Sequence, residues 1–182
     1  EFQVNMLTDW IQHRPDVAAA PNGDFVVVWE SYDTAGNDGW GASIQARRFR
    51  ADGTPLDPVE LQVNTMTLGN QTHPRVDSLP HGGFVVAWTT YDSDYLGVAA
   101  RRFGATGAPL DAEEIPVNAW TTGDQRYASV ATAADGSFAA FDCATAESPS
   151  PVSRFAVAVS WIGRLSSRKL VWQSSTYLTS AA

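Results

Sequence analysis

Three sets of side chains spaced at i, i+2 and i+4 could share chemistry: Arg14, Asp16 and Ala18; His73, Arg75 and Asp77; Tyr127, Ser129 and Ala131. In an extended strand this spacing puts each set on one face, because successive side chains alternate. The middle set joins a base, a fixed cation and a carboxylate, groups that can activate a water, hold an anion or polarise a carbonyl or phosphoryl oxygen. His73, Asp77, Asp16 and Arg75 are therefore the candidate catalytic residues, with Arg14 and Tyr127 as candidate ligand contacts. Alternatively, these groups only hydrate a channel and pair with one another. His13 sits one residue off this face and His81 in a turn.

A second set is acidic. Asp33, Asn37 and Asp38 follow one apolar run that ends in Trp, and Asp92 and Asp94 follow another. Loops rich in oxygen and glycine suit calcium, which takes about six to eight oxygen ligands in loose geometry. These are the candidate metal ligands, with calcium the expected ion. The spacing is not that of a helix–loop–helix calcium loop, so plain solvated turns are the alternative. Trp10, Trp40 and Trp120 lie outside the apolar runs, where they can stack on sugar rings, line an apolar site or simply be buried.

Other chemistries drop out. The chain has no Gly-x-Ser-x-Gly elbow, no His-Glu-x-x-His and no Gly-Lys-Ser/Thr loop, which removes serine-hydrolase, zincin and P-loop assignments. A single cysteine, Cys143, excludes an intramolecular disulfide and a Cys-built zinc site, and nothing near it in sequence would activate its thiol. Twelve basic against twenty acidic side chains leave a net charge of −8, the wrong sign for nucleic acid or an anionic membrane. No apolar run approaches the roughly 18–20 residues of a membrane helix. The first residues lack a basic stretch followed by an apolar one, so no export signal is expected there.

The elements that position these residues come from a repeat. Phe2-Gln3-Val4-Asn5, Gln12-His13-Arg14-Pro15-Asp16-Val17, Asn22-Gly23-Asp24-Phe25-Val26-Val27-Val28-Trp29, Ile44-Gln45-Ala46-Arg47-Arg48-Phe49 and Asp52-Gly53-Thr54-Pro55-Leu56-Asp57 form the first copy. The second gives Leu61-Gln62-Val63-Asn64, Gln71-Thr72-His73-Pro74-Arg75-Val76, Gly83-Phe84-Val85-Val86-Ala87-Trp88, Ala100-Arg101-Arg102-Phe103 and Ala108-Pro109-Leu110-Asp111. A third runs from Ile115-Pro116-Val117-Asn118 through Gln125 and Val130 to Phe138-Ala139-Ala140. Asn5, Asn64 and Asn118 recur in all three, which assigns them to a turn before a ligand.

In the second copy we expect strands over 74–79, 84–90, 97–103 and 115–117, with hairpin turns at 80–83 and 104–107. The Phe-Val-Val-Ala-Trp run is apolar on both faces, as a strand between two neighbouring sheets must be. Units of about 50 residues with four antiparallel strands read as β-propeller blades. The expected fold is all-β, about three blades over 1–141. Since three blades leave sheet faces in water, a homodimer closing a six-bladed ring is also expected.

This pattern resembles a blade repeat of large secreted bacterial proteins, often found beside calcium-binding RTX tracts and adhesin domains. The resemblance covers residues 1 to about 141 and implies a propeller and an extracellular location, without a single agreed activity. Residues 142–182 depart from it. The first part carries 18 acids and 8 bases, the second 2 acids and 4 bases, including the only lysine, Lys169. This tail is either an out-of-frame extension or a divergent cap that adds strands to the last blade. On these grounds the expected function is a ligand-binding module for a glycan or a small molecule, acting in binding or adhesion. The alternative is a metal-assisted hydrolase of phosphotriester or lactone type at the central tunnel, by architectural analogy with six-bladed paraoxonase-like enzymes. A third possibility is stable assembly with no further function.

Overall fold

The computed structural model describes residues 1–32, 41–91, 96–117, 124–144 and 155–158. These residues form antiparallel sheets. The first holds β1 (Gln12–Ala19), β2 (Phe25–Ser31), β3 (Ser43–Phe49) and β4 (Leu61–Gln62), in that order. The second repeats the order with β5 (Thr72–Ser78), β6 (Phe84–Tyr91), β7 (Leu96–Phe103) and β8 (Ile115–Pro116). The third contains β9 (Gln125–Thr132), β10 (Phe138–Ala144) and β11 (Phe155–Ala158), ordered β11-β10-β9. The strands expected in the second copy thus lie within two residues of those found.

β1 packs beside β5 and β5 beside β9, whereas β4, β8 and β11 form the far edges. The three sheets fan out from a common hub of first strands, a propeller-type arrangement. Hydrophobic burial holds the fan together. Val86 and Trp88 of β6 join Val26, Val28 and Ile44 in the seam between blades one and two, while Val85 and Ala87 join Ala128 and Phe138 in the seam between blades two and three. One strand thereby feeds both cores with alternate residues, which is why its sequence is apolar throughout. Each fully buried Val, Ile or Phe side chain among these contributes about 1.5–3 kcal/mol.

Polar staples repeat with the blades. The Arg48 side chain and its backbone N–H both donate to Asp57, and Arg102 does the same with Asp111. Arg47 and Arg101, the preceding arginines, donate to the Val4 and Val63 carbonyls at 2.9 and 3.0 Å. Asn64 accepts the Ile44 N–H at 2.8 Å and donates to the Met66 carbonyl at 2.9 Å, the turn role expected of it. The β3-to-β4 and β7-to-β8 turns each need one residue at positive φ, supplied by Gly53 (84°) and Gly107 (81°).

Simple alternation fails at the hub. Against the regular ladder of β2, β1 carries one extra residue between His13 and Asp16; β5 does so against β6 between Thr72 and Arg75, and β9 against β10 between Arg126 and Ser129. These are β-bulges. They overturn the expectation that His73 shares an alternating face with Arg75 and Asp77, or Arg14 with Asp16. The extra residue shifts the strand's period by one.

Candidate functional site

The bulge in each blade holds one side chain in the left-handed region: Arg14 at φ 51°, His73 at 55° and Tyr127 at 59°. Such a backbone costs a residue other than glycine about 1–2 kcal/mol. Arg14 and His73 also precede prolines, which ordinarily push the preceding residue toward extended conformations. The next blade's bulge is fastened to the blade before it through its own N–H. His73 N–H donates to Glu30 Oε1 at 2.5 Å, and Tyr127 N–H to Thr89 Oγ1 at 3.3 Å. Glu30 and Thr89 occupy the same place in their blades, one residue past the Trp that ends β2's and β6's apolar runs.

Glu30 is fully buried. It survives there because cations and donors surround it: Arg14 Nη1 lies 3.1 and 3.2 Å from its two oxygens, His13 Nε2 lies 2.9 Å from Oε2, and the His73 amide completes the shell. Three hydrogen bonds, with the His13 ring beside them, make this buried carboxylate a fixed counter-charge within the fold. It anchors the Arg14 guanidinium, which remains part exposed beside it.

His73 is half-buried, with Nδ1 3.1 Å from Thr72 Oγ1. Its ring meets the Tyr127 ring edge-on, centroids 4.8 Å apart and planes at 86°. Burial lowers the His73 pKa below its ordinary 6.5; the Arg14 guanidinium adds to this, Glu30 opposes it, and Arg75 and Arg126 lower it further. Neutral imidazole is therefore the resting form at neutral pH. Tyr127 is 53% exposed and Arg75 is also exposed, its Nη1 donating to the Pro74 carbonyl. Arg126 pairs with Asp124 and helps hold that carboxyl below the usual range.

The two candidate carboxylates serve the seams. Asp16 Oδ2 accepts the Val76 N–H at 3.0 Å, and Asp77 Oδ2 accepts the Thr132 N–H at 2.8 Å and its hydroxyl at 3.0 Å. Each bridges from one first strand to the next, where no sheet ladder satisfies the backbone. The structure thus gathers Arg14, His73, Tyr127 and Arg75 at the hub and ties Asp16 and Asp77 into the joints between blades. Trp10 is exposed at φ 72°. Asp33, Asn37, Asp38, Asp92, Asp94, Trp40 and Trp120 lie outside the described residues. Among the described residues no group of three or more His, Cys, Asp or Glu is placed to hold a metal ion. His81 lines a cleft of about 320 Å³ between the β1–β2 and β5–β6 turns.

Sequence inspection passed over Glu30. The available signal was that this position changes from Glu30 to Thr89 to Cys143 while the apolar run before it stays regular in the first two copies. A charge that continues a run buried on both faces needs a partner if it is buried with it.

No family model matches the chain, and no curated protein sequence does. Solved structures do resemble it. An endo-arabinase from Bacteroides thetaiotaomicron superposes with TM-score 0.54 at 12% identity, over 89% of this chain and 60% of that one. A Parabacteroides distasonis protein assigned as a glycoside hydrolase gives TM-score 0.51 at 12% identity, over 84% and 48%. These are β-propeller glycosidase folds, so the all-β, propeller-type architecture is shared. The chain spans about half to three-fifths of their lengths. No helix among the described residues is long and apolar enough to cross a membrane.

Proposed function

We propose that this chain is a glycan-binding propeller module whose ligand lies across the hub arc of Arg14, His73 and Tyr127. The observation that carries it is the trio of bulges. A position where glycine would be least strained holds Arg, His and Tyr in successive blades, each at positive φ. Strain of this kind is retained where the side chain matters. The three groups offer what sugars need: an aromatic plane to stack on, a neutral imidazole and a guanidinium for hydroxyls. The propeller glycosidases with this fold support a carbohydrate ligand by analogy.

The charge around the arc narrows the class. The repeats of residues 1–141 contain eight arginines; Arg47, Arg48, Arg101 and Arg102 serve the staples, whereas Arg14, Arg75 and Arg126 act together on His73. Arg14 is paired with Glu30 and Arg126 with Asp124, so the exposed Arg75 is the hub guanidinium placed to take a glycan that bears carboxylates, such as a uronate oligosaccharide. Binding is the reading favoured among the described residues, because glycoside cleavage ordinarily uses two carboxyl groups flanking the bond and the hub carboxylates Glu30, Asp16 and Asp77 are engaged in contacts within and between the blades.

A panel of neutral and uronate oligosaccharides tests this by titration calorimetry. The acidic sugars should bind, more weakly as salt rises, and Tyr127→Ala should lower affinity about 3- to 10-fold. Binding of neutral sugars alone, or a Tyr127→Ala protein with unchanged affinity, would reject the assignment.

A further inference from the structure

The outward face of blade one carries the features of an interior seam. Val17 is 60% exposed, whereas Val76, its counterpart in blade two, is 7% exposed under blade one. Pro15 is exposed and Pro74 is buried. Part of the missing neighbour is already present. Phe2 sits against the stacked Phe25–Phe49 pair at 6.5 and 5.3 Å, as Leu61 packs on the seam core that holds the stacked Phe84–Phe103 pair. The Val4 carbonyl takes Arg47 as the Val63 carbonyl takes Arg101. Glu60 accepts the Met6 and Leu7 N–H groups as Glu114 accepts those of Thr65 and Met66. By every one of these contacts, residues 2–5 hold the place of a fourth strand, like β4 and β8, in a sheet whose other three strands would cover blade one.

A blade of this repeat with an open edge at its third strand would fit this face, and among the described residues the β11-β10-β9 sheet is such a blade. We propose that a second copy of this chain covers blade one with its β9–β11 sheet, and that residues 2–3 of the first copy extend that sheet along β11. The two-fold counterpart of this junction closes a ring of six blades and brings a second hub arc to the axis. The register follows from the blades already complete. Leu61 and Gln62 pair with Ala46 and Gln45, and Ile115 and Pro116 with Ala100 and Ala99. Val157 and Ala156 hold the corresponding places on β11, opposite Phe141 and Asp142. Phe2 should thus face Val157 of the partner subunit, and Gln3 should face Ala156 of the partner subunit.

This inference is independent of the ligand. Sedimentation of the 182-residue chain in the micromolar range should give twice the 19.6 kDa chain mass, and Val17→Arg should shift it toward monomer with an unchanged circular dichroism spectrum. In a Cys143→Ser background, Gln3→Cys with Ala156→Cys should form a disulfide-linked dimer on mild oxidation, and Gln3→Cys alone should not. A monomer for the unaltered chain, a dimer whose introduced cysteines stay free, or a ladder of larger linked species would each overturn the proposal.

Discussion

In blade one Asp57 takes the side chain and the backbone N–H of Arg48, and in blade two Asp111 does the same for Arg102. At the hub the geometry repeats as faithfully, but the residues do not: Arg14, His73 and Tyr127 share one backbone conformation, and Glu30 and Thr89 accept the same N–H from the following blade. Contacts that recur with the same residues build the fan. Positions that keep the geometry and change the side chain are free to serve something else, and the hub is where such positions meet. The repeats therefore separate architecture from chemistry within one chain.

The largest effect should come from the staples. Asp57→Ala leaves the buried Arg48 guanidinium without its carboxylate and should cost about 3–5 kcal/mol in urea unfolding; a loss below about 1 kcal/mol would place Arg48 outside the architecture. His73→Gly, by contrast, removes strain and a ring contact together, and should move stability by less than about 1 kcal/mol. A staple-sized loss there would erase the distinction between the two regions.

Exchanging residues between blades sharpens it. Glu30→Thr imports the group of blade two: it can still accept the His73 N–H but strands Arg14, at a cost of about 1–3 kcal/mol. Because Glu30 opposes the lowering of the His73 pKa, the same change should drop that pKa further, read by NMR of the imidazole. An upward move would contradict the assigned electrostatics.

The smallest effect is a pH dependence. His73 is lowered in the folded state, so between its folded pKa and about 6.5 the unfolded chain binds more protons, and stability rises with pH across that window. It is lost as pH falls through the folded value and flat above 6.5 as far as His73 is concerned. His73→Gln should remove this part of the slope; an unaltered slope would assign it to another group.

Much of the fold was legible beforehand. The unbroken apolar run from Phe84 to Trp88 could only lie between two sheets, and the Gly-rich turns set its ends. The hub was less so, because counting by twos cannot see an inserted residue. Pro15 and Pro74 were the available hint, since proline donates nothing to a ladder and gathers at edges and bulges. Asp16 and Asp77 suggest catalysis when each first strand is read only as the lining of a central tunnel. With first strands packed side by side, unpaired N–H groups of Val76 and Thr132 needed acceptors, and the carboxylates supplied them.

The central claim is that the hub side chains, and not the sheets that carry them, recognise the ligand. Calorimetric titration of a uronate oligosaccharide into the unaltered protein and into the His73→Gly/Tyr127→Gly variant tests it most directly. We predict a binding isotherm for the first and none for the second, with both unfolding at closely similar urea concentrations. Equal binding by the two proteins would contradict it.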